Sequence, residues 1–216
     1  MSDLKTKIVG GMHLPARDPG NWLIKGGMVD GYPAYQYDRI EAALSLCKKR
    51  RTVVDGGAHV GSWSVHFAKH FDKVLAFEPV PDNIECFHLN LARVHKHYPD
   101  KVVLHEAALS DHVGSVHLYN AGGKSVSWSV GGTEGFAAPC LTLDSLNLAT
   151  VDLLKLDVEG HEYEALQGAL VTLDVCRPVV VIEEKKDEGQ RASNFLERLG
   201  MKLTAQMKHD RIYVWK

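Results

Sequence analysis

The stretch that decides the fold is Val53-Val54-Asp55-Gly56-Gly57-Ala58-His59-Val60-Gly61. It follows a short apolar run and precedes a segment, 62–70, whose apolar residues have helical spacing. A glycine turn between a strand and a helix is where a doubly wound sheet binds its ligand. The glycines do not have the G-x-G-x-x-G spacing of a dinucleotide site, and Asp55 would repel a pyrophosphate. The turn therefore predicts a ligand that carries a cationic amine.

Strands and helices alternate outward from this turn. Apolar runs predict buried strands at 52–55, 73–78, 102–105, 151–157 and 178–183. Helical spacing falls at 37–49, 62–70, 82–97, 162–173 and 190–199. An extra strand at 115–119 precedes a predicted Gly/Ser loop at 120–139, and 201–206 with 211–215 predicts a closing antiparallel hairpin. The alternation indicates an α/β fold with a mostly parallel sheet covered on both faces.

Composition indicates a globular protein rather than a disordered or disulfide-stapled one. The chain has 216 residues, 45% of them hydrophobic, with 25 Lys and Arg against 27 Asp and Glu, for a net charge of −2. That charge balance disfavours a polybasic nucleic-acid binder. Residues 1–35, rich in Gly and Pro, predict an irregular N-terminal arm or lid, and 36–216 a single domain.

The cellular setting is expected to be cytoplasmic and reducing. No apolar run approaches the roughly 20 residues that span a bilayer, and no apolar signal segment follows Met1–Lys7. The four cysteines are far apart in sequence, so no CxxC pair indicates zinc binding or redox exchange. No membrane partner is predicted.

Acidic residues follow two further strands of the predicted sheet. Glu78 comes about 20 residues after the glycine turn, where an acid holds the two hydroxyls of a ribose. Asp157-Val158-Glu159-Gly160-His161-Glu162 follows the fourth parallel strand and faces the same crevice. Lys155, inside that strand, needs a carboxylate partner if it is buried. Glu183 and Glu184 are equally consistent with an acceptor pocket and with a solvated strand end.

The polar block at 157–162 carries the candidate catalytic residues. His161 is the best general-base candidate, because an unperturbed imidazole titrates near neutral pH. Asp157 and Glu159 are candidates to orient it, to bind the acceptor or to act as the base themselves. The alternative is that the acids only stabilise the following helix N-terminus. Twelve histidines occur, but none forms an HExxH pattern, and no metal site is predicted. A divalent ion held by Asp157, Glu159 or Glu183 stays an open alternative that nothing in the sequence requires.

Four blocks together resemble the FkbM-type methyltransferases, which depend on S-adenosylmethionine. They are Val53–Gly61, Phe77-Glu78-Pro79, Glu106-Ala107-Ala108-Leu109-Ser110 and Leu154–Glu162. The resemblance implies a Rossmann-like class I methyltransferase with a doubly wound seven-stranded sheet and a C-terminal antiparallel hairpin. It further implies O-methylation of a hydroxyl on a sugar or another small-molecule or glycan acceptor. A catalytically silent S-adenosylmethionine-binding module is the first alternative. A nucleic-acid methyltransferase is the second, supported only by the basic run Lys48–Arg51.

The resemblance also implies roles for individual residues. Asp55 and Gly57 are expected near the methionine part of the cofactor, Glu78 at the ribose, and Glu106 with Ala107 at the adenine. The full set expected at the cofactor is Asp55, Gly56, Gly57, Ala58, His59, Gly61, Glu78, Pro79, Glu106, Ala107 and Asp157. The arm and the 120–139 loop are expected to form acceptor-side walls, with Trp22, Trp128 and Phe136 as stacking candidates or ordinary packing residues. The oligomeric state stays open.

Overall fold

Strands alternate with helices through most of the chain, as the sequence predicts. The computed structural model describes residues 5–120, 128–132, 134–185 and 189–216. The strands are β1 (Thr6–Val9), β2 (Met12–Pro15), β3 (Met28–Val29), β4 (Tyr32–Pro33), β5 (Thr52–Gly56), β6 (Lys73–Phe77), β7 (Val102–His105), β8 (Ala108–Leu109), β9 (Gly114–Asn120), β10 (Trp128–Val130), β11 (Phe136–Leu141), β12 (Leu153–Leu156), β13 (Val179–Glu183), β14 (Met201–Met207) and β15 (Asp210–Trp215). The helices are α1 (Tyr37–Leu46), α2 (Ser64–His70), α3 (Pro81–His95), a 3-10 helix (Leu143–Leu146), α4 (Glu162–Gln167), α5 (Leu170–Cys176) and α6 (Arg191–Arg198).

The main sheet has seven strands in the order β14-β15-β13-β12-β5-β6-β7. Neighbouring strands from β13 to β7 pair in parallel, whereas β15 pairs antiparallel with both β13 and β14. The predicted hairpin therefore supplies the antiparallel strand. The expected α/β class, with a Rossmann-like, mostly parallel sheet, is confirmed.

Helices cover both faces of this sheet because its central strands are apolar on both sides. All residues of β5 and β12 are buried. Val53 belongs to a core cluster with α1, α2 and α3, and its neighbour Val54 to a cluster with α4, α5 and α6. Successive side chains of a strand point to opposite faces. The sheet is therefore doubly wound.

The prediction of a loop at 120–139 is wrong for part of that range. Trp128–Val130 and Phe136–Leu141 are strands of a second sheet, ordered β10-β9-β11-β8. Within Phe136–Leu141, Ala138 and Cys140 are buried, so the residues alternate between the two faces as in a half-buried strand. Residues 121–127 and 133, which the same prediction includes, lie outside the described part.

The predicted helix at 162–173 is divided into α4 and α5. The division falls at Gly168, where an added Cβ would lie 1.9 Å from the carbonyl oxygen of Ser110. This close approach of another backbone segment needs glycine, and glycine weakens a helix interior. Tertiary contact thus overrides the helical spacing.

The arm predicted as irregular over 1–35 is not irregular throughout, because its described residues contain two short hairpins, β1–β2 and β3–β4. Strand β2 packs against α3, where the backbone N–H of His13 donates to Asn90 Oδ1 at 2.7 Å. Residues between and after the hairpins, among them Trp22 and Tyr35, lie at the carboxyl ends of the main sheet. Among the described helices, none combines the length and the apolar character that a bilayer crossing requires.

Candidate active site

A cavity of about 540 Å³ lies at the carboxyl ends of β5, β6, β12 and β13. The chain order of the sheet reverses between β5 and β12, and such a switch point is where open α/β sheets bind ligands. Ligand sites commonly measure about 300–1,000 Å³, so this cavity has the size of one. Its walls come from the glycine turn, the ends of β6, β12 and β13, the second sheet, and the arm.

The glycine turn forms the floor beside β5. Gly57 has φ +71°, and an added Cβ would lie 1.8 Å from the carbonyl oxygen of Asp157. The N–H groups of Gly57 and Ala58 donate to Phe77 O at 3.0 and 2.9 Å. Gly57, Ala58 and His59 line the cavity. The turn is thereby held between the ends of β6 and β12, and only glycine fits at position 57.

Two other glycines of the turn are not among the described lining residues. Gly56 ends β5, and an added Cβ would lie 2.8 Å from the Leu156 side chain. Gly61 has φ +88° and lies against the ring of Phe87, 3.1 Å from an added Cβ. Both glycines therefore serve close packing behind the cavity wall.

Asp55 lies beneath the cavity rather than on its wall. It is fully buried, its Oδ1 is 3.0 Å from Lys155 Nζ, and its Oδ2 accepts from Ser64 Oγ at 2.6 Å. The structure thus does not bring Asp55 to the ligand space, where the sequence places it. Lys155 has the carboxylate partner that a buried lysine needs, as predicted.

Lys155 connects this ion pair to the glycine turn. Its Nζ donates to the carbonyl oxygens of Gly56 and Gly57 at 3.0 and 2.9 Å, and the side chain reaches the cavity. Burial lowers the pKa of Lys155, but the attraction of Asp55 and Asp157 outweighs burial and raises it. A permanently charged ammonium therefore stabilises the backbone of the turn.

Glu78 ends β6 and faces the cavity together with Pro79. Its carboxylate accepts from the backbone N–H of His59 at 2.8 Å, from the N–H of Val80 at 3.0 Å, and from Asn83 Nδ2 at 3.2 Å. Burial raises the pKa of Glu78 to about 7, although these three donors oppose the shift. The carboxylate is thus fixed in position on the cavity wall.

Glu106 and Ala107 are not brought to the cavity. The Glu106 side chain is exposed and lies 3.0 Å from His88 Nε2, and the buried Ala107 is not among the lining residues. Ala108 and Leu109, next along the chain, line the cavity instead. The block Glu106–Ser110 thus contributes to the cavity wall, but through Ala108 and Leu109 rather than through the two residues named from the sequence.

Three carboxylates form the wall at the ends of β12 and β13. Oxygens of Asp157, Glu159 and Glu183 lie within 4.8 Å of one another. Lys185 places its Nζ 2.8 Å from Glu159 and 3.6 Å from Glu183, so a side chain of this protein balances part of the charge. Burial first, and then repulsion from Asp157, raises the pKa of Glu183 to about 8.

The two glutamates at the end of β13 thus have different environments. Glu183 lines the cavity. Glu184 is buried away from the cavity, where it pairs with Arg211 and accepts from the backbone N–H of Ala192 at 2.8 Å. Glu184 is a structural residue, and the sequence alone did not separate the two.

His161 precedes α4 and reaches the same cavity as Asp157 and Glu159. Its Nε2 is 3.0 Å from Ser110 Oγ, and its Nδ1 is 3.6 Å from a carboxylate oxygen of Glu164. Burial lowers the pKa of His161. The imidazole is therefore held neutral between two protein groups.

The arm supplies an aromatic wall. Trp22 lies edge-on to Tyr35, with ring centroids 4.7 Å apart, and 5.4 Å from the ring of His59. The buried carboxylate of Asp18 accepts from Trp22 Nε1 at 2.8 Å and orients the indole. Burial lowers the pKa of His59 to about 4, so this ring is neutral. Tyr35 was missed from the sequence because no pattern marks it.

The second sheet completes the wall with Trp128. Its ring centroid lies 5.2 Å from that of Phe136, and Arg17 stacks over it at 5.7 Å. Trp128 lines the cavity, whereas Phe136, also a stacking candidate from the sequence, packs against Trp128 and is not among the described lining residues.

The sheet order, the antiparallel β15 and a cavity at the switch point together define a class I methyltransferase fold. A family model described as the methyltransferase FkbM domain matches residues 55–213. The chain belongs to this family and is an S-adenosylmethionine-dependent methyltransferase. No curated protein sequence gives a significant match.

Solved structures share the fold at low sequence identity. The FkbM methyltransferase from Methylobacillus flagellatus KT is 15% identical, with a TM-score of 0.58 over 79% of this chain, which spans only 45% of that one. A Streptococcus mutans protein described as a methyltransferase, in complex with SAH, is 11% identical with a TM-score of 0.54, covering 82% of this chain and 94% of that one. An rRNA methylase from Streptococcus thermophilus is 11% identical with a TM-score of 0.51, covering 88% and 100%. These likenesses concern the fold.

Proposed function

We propose that this protein transfers a methyl group from S-adenosylmethionine to a hydroxyl oxygen of a sugar or another small-molecule or glycan acceptor. The observation that carries the proposal is one cavity with two differently built sides. A fixed carboxylate, Glu78, stands on the β6 side, and three carboxylates with Tyr35 near two of them stand on the β12 and β13 side.

The residues on the β6 side fit the cofactor. Glu78 is placed to accept from both ribose hydroxyls, since a carboxylate at the end of the second strand does this in related sheets. Gly57 and Ala58 permit close approach of the methionine part, and Ala108 and Leu109 offer an apolar surface to the adenine. When bound, the cofactor supplies an electrophilic methyl group on a positively charged sulfur. The nearby carboxylates favour that charge.

The opposite side suits a neutral, hydroxylated acceptor. Carboxylates accept hydrogen bonds from hydroxyl groups, and Tyr35, near Asp157 and Glu183 and packed against Trp22, presents a ring surface to the apolar C–H face of a sugar. The arm and the second sheet form part of the cavity wall. Such a wall matters because orientation of acceptor and donor supplies much of the catalysis, up to about 7–11 kcal/mol.

The electrostatics of the cavity disfavour a nucleic-acid acceptor. The acids at the ends of β12 and β13 repel phosphates. The basic run Lys48–Arg51 lies between α1 and β5, at the amino end of the sheet and opposite the cavity. Within it, Arg51 pairs with Asp152 at 2.6 Å. The structural neighbour described as an rRNA methylase shares the fold and gives no support for RNA as the acceptor here.

The proposal is tested with purified protein in two steps. Titration calorimetry with S-adenosylmethionine measures binding, and release of S-adenosylhomocysteine is then followed with methyl glycosides of neutral hexoses and, for comparison, an RNA oligonucleotide. We expect binding, turnover with a hydroxylated probe, and an O-methyl signal in the NMR spectrum of the product. Absence of binding at millimolar cofactor, or methylation of a base nitrogen in the RNA, overturns the proposal.

A further inference from the structure

Glu183 lies between two other acidic side chains, in the row of residues at the carboxyl ends of the parallel strands. The register of β12 and β13 places Asp157 beside Glu183, and that of β13 and β15 pairs Glu183 with Asp210. Glu183 is 18% exposed and lines the cavity, with a carboxylate oxygen within 4.8 Å of oxygens of Asp157 and Glu159. Like charges at this spacing favour a proton on one of the carboxylates.

Two acids of this group have close cationic partners. Arg39 Nε lies 2.5 Å from Asp210, and Lys185 Nζ lies 2.8 Å from Glu159 but 3.6 Å from Glu183. Burial and the charge of Asp157 raise the pKa of Glu183 to about 8. Of this group, Glu183 is therefore the carboxyl group whose protonated and ionised forms are both populated near neutral pH. A general base needs such a pKa close to the working pH.

The imidazole of His161 is engaged elsewhere. One ring nitrogen lies against Ser110 and the other against Glu164, which is itself bridged to Arg191 at 2.8 Å. Burial also lowers the pKa of His161. This geometry makes His161 a residue that positions the start of α4 beside the cavity.

We propose that Glu183, with Asp157 beside it, accepts the proton of the acceptor hydroxyl. The inference rests on the proposed function and replaces His161 as the base. A positive charge that enters the cavity favours the carboxylate form of Glu183, so its proton passes to solvent as the donor binds. The acceptor oxygen then bonds to the methyl carbon while the carbon–sulfur bond breaks with its electron pair on sulfur. The hydroxyl proton moves to Glu183.

Proton release on binding tests the first half of this proposal without an acceptor. Wild-type protein and Glu183→Gln are titrated with S-adenosylmethionine at about pH 7.5 in buffers of different ionisation enthalpy. We expect wild type to release a large fraction of a proton per site and Glu183→Gln at least threefold less. Glu85→Gln, an exposed carboxylate on α3, is the matched control and should behave as wild type. Equal release by wild type and Glu183→Gln overturns the proposal.

The pH profile has to be interpreted against every charged group near Glu183. These groups are Asp157, Glu159, Asp210, Lys155, Lys185, Tyr35 and Arg39. Glu78 titrates in the same pH range but acts on cofactor affinity, so rates are measured at saturating cofactor.

Kinetics with the methyl glycosides test the second half. Loss of a general base costs about 100-fold or more in kcat, whereas cofactor affinity should fall by a much smaller factor, set by the proton release that Glu183 contributes to binding. The wild-type rate should rise with pH as Glu183 loses its proton, and Glu183→Gln should lack this rise. A Glu183→Gln enzyme with the wild-type profile, or loss of the rise only in His161→Asn, overturns the assignment. A wild-type protein that neither binds the cofactor nor turns over refutes the proposed function instead.

Discussion

Replacing Gly57 with alanine tests how tightly the glycine turn is confined. Gly57 has φ +71°, and an added Cβ would lie 1.8 Å from the carbonyl oxygen of Asp157. The left-handed conformation costs an L-residue about 1–2 kcal/mol, and forcing a methyl group into packed surroundings costs about 1–3 kcal/mol. The free energy of unfolding should therefore fall by about 2–5 kcal/mol, which lowers the melting temperature by roughly 4–20 °C in a chain of this size.

Gly27→Ala is the matched control. Gly27 has φ +76°, and none of the described atoms lies within 4 Å of an added Cβ, so only the backbone cost of about 1–2 kcal/mol applies. Scanning calorimetry compares the two variants, and titration with S-adenosylmethionine should show weaker binding for Gly57→Ala alone, because Gly57 lines the cavity. If the melting temperatures of the two variants differ by less than about 2 °C, the carbonyl of Asp157 can move away from the added methyl group at little energetic cost. Such a result would refute the argument that only glycine fits at position 57.

Three further predictions concern buried charges. Glu78→Gln should raise the dissociation constant of the cofactor about tenfold or more, because hydrogen bonds to charged groups contribute about 1.5–3 kcal/mol. Calorimetry should also show that the wild-type affinity rises with pH through the Glu78 pKa of about 7. An equally steep rise in the variant would contradict the assignment. Lys155→Met should lower the free energy of unfolding in urea by about 3–5 kcal/mol, because Asp55 loses its partner. Adding Asp55→Asn should restore part of that free energy. A double variant no more stable than Lys155→Met would contradict this account. Because the pKa of Glu183 is raised, the folded state holds more protons than the unfolded state between pH 4.5 and about 8. The free energy of unfolding should therefore fall as pH rises through this window. In thermal melts, Glu183→Gln should lose less stability over the same pH range than wild type.

The sequence predicted most of the main sheet for a physical reason. Buried parallel strands are apolar along their whole length, and the runs before Asp55, Glu78 and Asp157 stand out against their polar surroundings. The second sheet was missed because glycine and serine dominate the segment around β10. The break at Gly168 depends on the Ser110 carbonyl, a contact that periodicity does not contain.

The sequence predicted those residues of the candidate site whose position follows from the carboxyl end of a strand. Glu78 and Asp157 follow strands and reach the cavity, as the topology requires. Asp55 also follows from this rule, yet the register of β5 and β12 sets it opposite Lys155, and the ion pair draws it into the core. Register is not readable from one strand alone. The acidic neighbours of Glu183 likewise become visible only when β13 and β15 are aligned.

The arm has a practical consequence for engineering. The family match begins at residue 55, whereas Trp22, Lys25 and Tyr35 precede it and still form part of the cavity wall. Of these three, Lys25 is exposed, whereas Trp22 and Tyr35 also pack against the main hydrophobic core, so substitutions at Lys25 should keep thermal stability while sampling new acceptors. Directed evolution of this scaffold is therefore best started at such exposed positions before residue 55, where altered selectivity competes least with folding.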